Sequence, residues 1–290
     1  MNAVALMYHD VTPLGREDAS GFPGGDAARY KLTPEQFRAH LLAIRGRVAR
    51  APVTAEALAA DPAAEPVSPW ILTFDDGGAS AEAIADALEP FGWRGHFFVT
   101  AGYIDRPGFL DLPQLRRLRL RGHIIGSHSH THPLRMARCT AARLREEWRR
   151  SIGVLADALG EGILTASVPG GHHSELVTRT AIDAGIRFLF TSQPTIRARQ
   201  VGECRVVGRY AIQRTTGAAT AAALAAADLA PRLRRRVVWD AKQVCKSLGG
   251  GFYLRARDRL LGRSPHVTWG DEMTLSASLT DSPGRHHHRA

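Results

Sequence analysis

Two adjacent carboxylates and a run of alternating histidines are the parts of this 290-residue chain best equipped for chemistry. Asp75 and Asp76 end an apolar run, Trp70-Ile71-Leu72-Thr73-Phe74, and are followed by two glycines. A run of that length stopped by glycine reads as a buried strand, so the carboxylates stand at its C-terminal end. In a barrel of parallel strands, that rim is where reactions are carried out. Adjacent residues leaving a strand point in different directions, so one carboxylate can bind a cation while the other handles a proton. Asp-Asp-Gly alone is more often a turn than a site. The second stretch, 122–133, is another short apolar strand that ends in His128, His130 and His132. Imidazole is a common neutral ligand for divalent ions, and two of them with one carboxylate leave room for water.

Positioning such groups calls for a layered scaffold, and the pattern supplies one. Strands are expected over 3–7, 48–53, 70–74, 95–100, 122–127, 163–168, 186–191 and 205–212. Helices are expected between them, opening at Thr33-Pro34-Glu35-Gln36 with Thr33 as cap, and over 79–91, 110–121 and 140–159. Alternating strands and helices argue for a parallel α/β sheet. Residues 12–30 lack periodicity and read as a loop at the catalytic rim or a lid. The arginines of 110–121 and the apolar stripe of 140–159 read as a solvated face and a core face.

Composition bounds the rest. Apolar content of 44% and charged content of 23% are ordinary for a globular protein. The net charge of +10 is concentrated in 232–263, where ten Lys or Arg meet two acids. There Leu233, Val237, Ala241, Val244 and Leu248 form one helical stripe opposed by Arg235, Trp239, Lys242 and Lys246. Such a helix fits an anionic membrane surface, or packs on the body of the protein. Nucleic acid is not expected, because Trp239 and Tyr253 make no stacking platform. Three scattered cysteines suit a reducing compartment. The first residues read as a strand and not a leader, so a cytoplasmic location, peripheral at the inner membrane face, is expected.

Taken together, Thr73-Phe-Asp-Asp-Gly77, His96-Phe-Phe-Val-Thr100 and His128-Ser129-x-x-His132 resemble the polysaccharide deacetylase (NodB homology) family of carbohydrate esterases. The resemblance spans about 1–215 and implies a distorted (β/α) barrel of about seven strands. A basic helical extension would follow over 216–263, with a disordered tail over 264–290. It implies a divalent metal, zinc best suited to two nitrogens and one oxygen, held by Asp76, His128 and His132, with Asp75 as general base. His130, between the ligands, is expected to point away. Two departures stand out. The family's third motif has an arginine two residues before proline, where this chain has Ser167 before Pro169, and the terminal Leu-His-Asp is missing. The backbone beside Pro169 and Gly170 is still expected to help bind an oxyanion. Tyr8-His9 resembles the pair that supplies the catalytic acid in the branch acting on poly-N-acetylglucosamine, and His9 is expected in that role. The activity implied is removal of N-acetyl groups from a sugar in a glycan or its precursor. The alternatives are a catalytically retired glycan-binding barrel and a hydrolase of a non-sugar amide.

Overall fold

A computed structural model describes residues 2–60 and 69–248, with side chains omitted at 59–60 and 243–248. Among the described residues, nine strands form one sheet: β1 (Val4–Tyr8), β2 (Trp70–Phe74), β3 (His96–Val99), β4 (Ile124–Ser127), β5 (Thr165–Ser167), β6 (Phe188–Phe190), β7 (Arg199–Val201), β8 (Cys204–Val207) and β9 (Tyr210–Ala211). The helices are α1 (Gly25–Ala28), α2 (Pro34–Arg47), α3 (Ala55–Ala60), α4 (Ala81–Leu88), α5 (Leu112–Leu120), α6 (Ala141–Leu159), α7 (Glu175–Asp183), α8 (Ala218–Ala225) and α9 (Leu229–Leu248). Strand order is β7-β8-β6-β5-β4-β3-β2-β1-β9, parallel except where β7 meets β8. The sheet curls, and a bridge between Asn2 and Arg197 ties its first strand to the segment ahead of β7.

Both faces of the sheet are covered, as parallel strands require. Along β1 the side chains alternate. Val4, Leu6 and Tyr8 join Phe37, Leu41 and Ile44 of α2 outside the curl. Ala3 and Ala5 join Ile71, Phe98, Phe188 and Phe190 inside it. Small residues on β1 make room for three phenylalanines, and the interior is filled. Helix starts follow their caps. Thr33 and Gln36 exchange hydrogen bonds at α2, and Asp111 and Gln114 do the same at α5.

Two expectations are corrected. No strand forms over 48–53; Val53 N–H simply donates to Trp70 O at 2.8 Å. The strand expected over 205–212 divides into β8 and β9 around Gly208 and Arg209. A Cβ at Gly208 would stand 2.4 Å from Gln193 O, so the chain bends where only glycine fits. The barrel of about seven strands is extended to nine by short edge strands β7 and β9.

Helix α9 also differs in orientation. Leu229, Leu233, Val237 and Val238 are exposed. The face turned to the body carries Arg232, which donates to Tyr210 Oη and Ala227 O, and Arg235, which donates to Thr216 Oγ1 at 2.9 Å. A basic face turned to the body of the protein is not presented to a flat lipid surface, so the expected membrane contact gains no support over 232–236. The rest of that segment beyond 248, and the tail 264–290, lie outside the described residues. Among the described residues, no helix is long and apolar enough to cross a membrane.

Candidate active site

Parallel pairing brings the candidate residues to one rim. Tyr8 is in register with Phe74, so His9 and Asp75 leave neighbouring strands side by side. Asp75 N–H donates to Tyr8 O at 3.0 Å and fixes that step. Asp76 follows with φ of 81°, a left-handed conformation that costs a non-glycine residue roughly 1 kcal/mol or more. Ser129 (φ 64°) and His132 (φ 57°) carry similar strain in the histidine loop. Three such residues at one place mark a segment held for its geometry.

Asp76, His128 and His132 offer one donor atom each, all within 4.8 Å of one another. Asp76 Oδ1 stands 3.4 Å from His128 Nε2 and 3.5 Å from His132 Nε2. Ligands about 2.1 Å from a tetrahedral ion are separated by roughly 3.4 Å, so the donor set fits one small divalent cation. His128 is already oriented for it. Its Nδ1 lies 2.5 Å from Ser167 Oγ, and the same hydroxyl donates to Asp75 Oδ1 at 3.2 Å. A hydroxyl has one proton, so the imidazole Nδ1–H donates to Ser167, and Nε2 is the atom turned to Asp76.

Asp75 is held by a residue the motif comparison could not find. Arg209 grips it bidentately, Nη1 to Oδ1 at 2.6 Å and Nη2 to Oδ2 at 2.8 Å. The guanidinium is itself fully buried, donating also to Thr73 Oγ1 and Thr191 O, and lies over the Phe98 ring. Arg209, on the bend between β8 and β9, thus pairs with Asp75 although no arginine precedes Pro169, and Ser167 links Asp75 to His128. Burial alone would push the Asp75 carboxyl up, but Arg209 and His128 outweigh it and hold it below its ordinary value. Asp76 is likewise pushed up by burial and held down overall, by His128, His9 and His132. Burial lowers His132 to about 4. All three groups sit in the forms that accept a cation or a proton.

The remaining expected residues fall as follows. His9 has its Nδ1 buried without a partner among the described residues, and its ring lies 4.8 Å from that of Tyr30. It is near enough to act electrostatically on both aspartates. Pro169 is buried and Gly170 exposed, the latter turned by φ of 61° against Leu134 O. His130 stays outside the donor set.

Two anchors hold the surrounding loops. Glu147 on α6, 2% exposed, accepts from His130 N at 2.9 Å, Thr131 N at 2.7 Å and Thr131 Oγ1 at 2.6 Å. It therefore clamps the backbone between the two candidate ligand histidines. Lys31 Nζ donates to the carbonyls of Glu17, Ser20 and Phe22, and Asp10 accepts from Ser20 and Ser80. The 12–30 segment is consequently a pinned wall, and it delivers the Phe22 ring to 4.5 Å from His132.

Residues 63–189 match the family model for polysaccharide deacetylase. That stretch is similar to polysaccharide deacetylases. The match agrees with a hydrolase acting on a carbon–nitrogen amide bond, as the sequence resemblance implied. His9 and Arg209 lie outside the matched stretch, one on each side of it. Solved structures share the fold. A polysaccharide deacetylase from Bacillus cereus superposes with a TM-score of 0.64 at 19% identity, covering 77% of this chain and 69% of its own. IcaB from Ammonifex degensii gives 0.64 at 20% identity, over 77% and 97%. The deacetylase PplD from Streptococcus pyogenes, in complex with acetate, gives 0.63 at 18% identity, over 75% and 95%. A search of curated proteins finds no significant match.

Proposed function

We propose that this deacetylase domain removes the N-acetyl group from an N-acetylated sugar of a glycan or glycan precursor, with a divalent metal held by Asp76, His128 and His132. The observation that carries the reading is the convergence of those three donors beside a carboxylate that Arg209 keeps ionised. Two nitrogens and one oxygen favour zinc. When bound, such an ion would polarise the acetamide carbonyl and lower the pKa of water.

The chain's own residues do the rest. Asp75, fixed by Arg209 and Ser167, takes the proton of the attacking water. Its partners hold the carboxylate plane in one orientation, which matters because proton transfer needs hydrogen-bond reach. The strained turn after Pro169 presents backbone N–H groups of Gly170 and Gly171 toward the developing oxyanion. His9, with an unpartnered ring nitrogen and a place beside Asp75, gives a proton to the departing amine. The missing terminal histidine motif is thereby replaced from the first strand. Ser167 had suggested a retired barrel; the guanidinium supplied by Arg209 removes that support.

The test combines acetate release from N-acetylglucosamine oligomers with metal content by mass spectrometry. Asp75→Asn is expected to lose turnover and keep metal, whereas His128→Ala loses both. Equal metal loss in the two variants would refute the division between base and ligand.

A further inference from the structure

We infer that α9, outside the family-matched stretch, forms one wall of the catalytic cleft, and that its Arg235 and Trp239 select a substrate with an anionic group within about one sugar of the acetamide that reacts. This deepens the deacetylase reading and rests on it.

The inference starts from how α9 lies. An amphipathic helix normally turns its apolar stripe inward. Here Leu229, Leu233 and Val237 face out, and Arg235 and Trp239 are half-buried against the body. Those two residues are one helical turn apart and share a face. Trp239 reaches the rim: a Cβ at Gly171 would stand 3.9 Å from its Cη2. Gly171 closes the turn that follows Ser167 and Pro169, and its other neighbour is Ser192. Arg235 reaches the opposite side. It donates to Thr216 Oγ1 and lies within electrostatic reach of Tyr30, whose ring is 4.8 Å from that of His9. The helix therefore runs from the His9 side of the site to the Pro169 side.

The charge balance there is incomplete. The arginines nearest the rim differ in how they are matched: Arg209 meets Asp75 and Arg214 meets Glu17. Arg235 has a neutral hydroxyl, and among the described residues no carboxylate lies within ion-pair distance of it. Burial and the adjacent Arg234 both work against its charge. A half-buried guanidinium with spare donors is costly until an anion arrives, and its planar fork suits a carboxylate or a phosphate. The flat indole four residues on offers the apolar face that a pyranose ring stacks against. A cationic fork and an aromatic plate on one helix face, beside the catalytic residues, describe an acidic saccharide as the ligand.

The experiment compares kcat/KM for three substrates: a neutral N-acetylglucosamine tetramer, a tetramer alternating N-acetylglucosamine with glucuronate, and N-acetylglucosamine 1-phosphate. Wild type is expected to favour one acidic substrate over the neutral one by about tenfold, mostly in KM, with salt weakening the preference. Whether uronate or phosphate is favoured identifies the source of the anion. Arg235→Gln is expected to abolish the preference, and Arg235→Lys to retain part of it, which excludes misfolding as the cause. Trp239→Ala is expected to raise KM for both tetramers. If wild type releases acetate from the neutral tetramer as well as from the acidic substrates, or if Arg235→Gln keeps the preference, the inference falls and the deacetylase reading stands. If no substrate releases acetate, the deacetylase reading itself falls and takes the inference with it.

Discussion

Replacing Arg209 by Met should do more damage than any other single change at the site that leaves the candidate metal ligands in place. The perturbation removes two charge-assisted bonds to Asp75, at 2.6 and 2.8 Å, and leaves a carboxylate that is 5% exposed with only Ser167 and His128 for company. Breaking a buried ion pair from one side typically costs about 3–5 kcal/mol, because the surviving charge is uncompensated. For a chain of this size that corresponds to a melting temperature roughly 10 °C lower. Asp75 should also lose its main counter-charge, so its carboxyl rises from the depressed position toward protonation, and the base weakens at neutral pH. The assay is urea unfolding of metal-stripped protein, alongside acetate release. The double variant Arg209→Met with Asp75→Asn serves as the control, since it removes both charges. It should recover about half of the lost stability or more, and Asp75→Asn measured alone completes the cycle that gives the coupling energy. If Arg209→Met alone costs less than about 1 kcal/mol, or if the double variant is less stable than the single one, the charge-pair argument is wrong.

Glu147→Gln keeps the shape of the clamp but exchanges one acceptor oxygen for a donor that faces Thr131 Oγ1 and Arg143. It should weaken metal affinity by about tenfold while activity returns at saturating metal; titration with zinc, cobalt or nickel reads this directly, and unaltered affinity would remove Glu147 from the positioning role. Burial lowers His96 and His123 to about 4, each accepting a backbone N–H as a neutral ring. The unfolded chain takes up their protons first as pH falls below about 6.5, so stability is complete above that value. It is lost toward pH 4, by about 1.4 kcal/mol per pH unit for each ring. His123→Gln should flatten the slope of unfolding free energy between pH 6.5 and 4.5; a slope indifferent to this change contradicts the assignment.

What could be read from the chain alone was whatever is encoded locally. The strand ahead of Asp75 and Asp76, the strand ahead of His128, and the cap at Thr33 each depend on a few consecutive residues, and each is found where the pattern put it. Arg209 was illegible because nothing near it in sequence distinguishes it from a surface arginine; its partner lies 134 residues away. One signal was present. It follows Gly208 between two apolar strand segments, and an arginine there must either break the strand or find a buried acid. Glu147 was hidden among the charged residues of α6, because helical spacing predicts which face is buried and not which buried acid meets a loop. Helix α9 misled in the opposite way: its periodicity is real, but the face that docks is the one with long side chains able to bond Thr216 and Tyr210.

The far-flung origin of the Asp75 partner bears on how this protein comes into being. β1 sits between β2 and β9, so the first strand made must wait for nearly the last one before it is enclosed. Until residues around 209 leave the ribosome, the carboxylate has no guanidinium, and the cost of closing that long loop must be met before the pair rewards it. A trimmed fragment bounded by the family match at 63 and 189 would lack both His9 and Arg209. Expression of that stretch alone should yield an aggregating or uncollapsed polypeptide, and the practical minimum for an active preparation runs from β1 through α9.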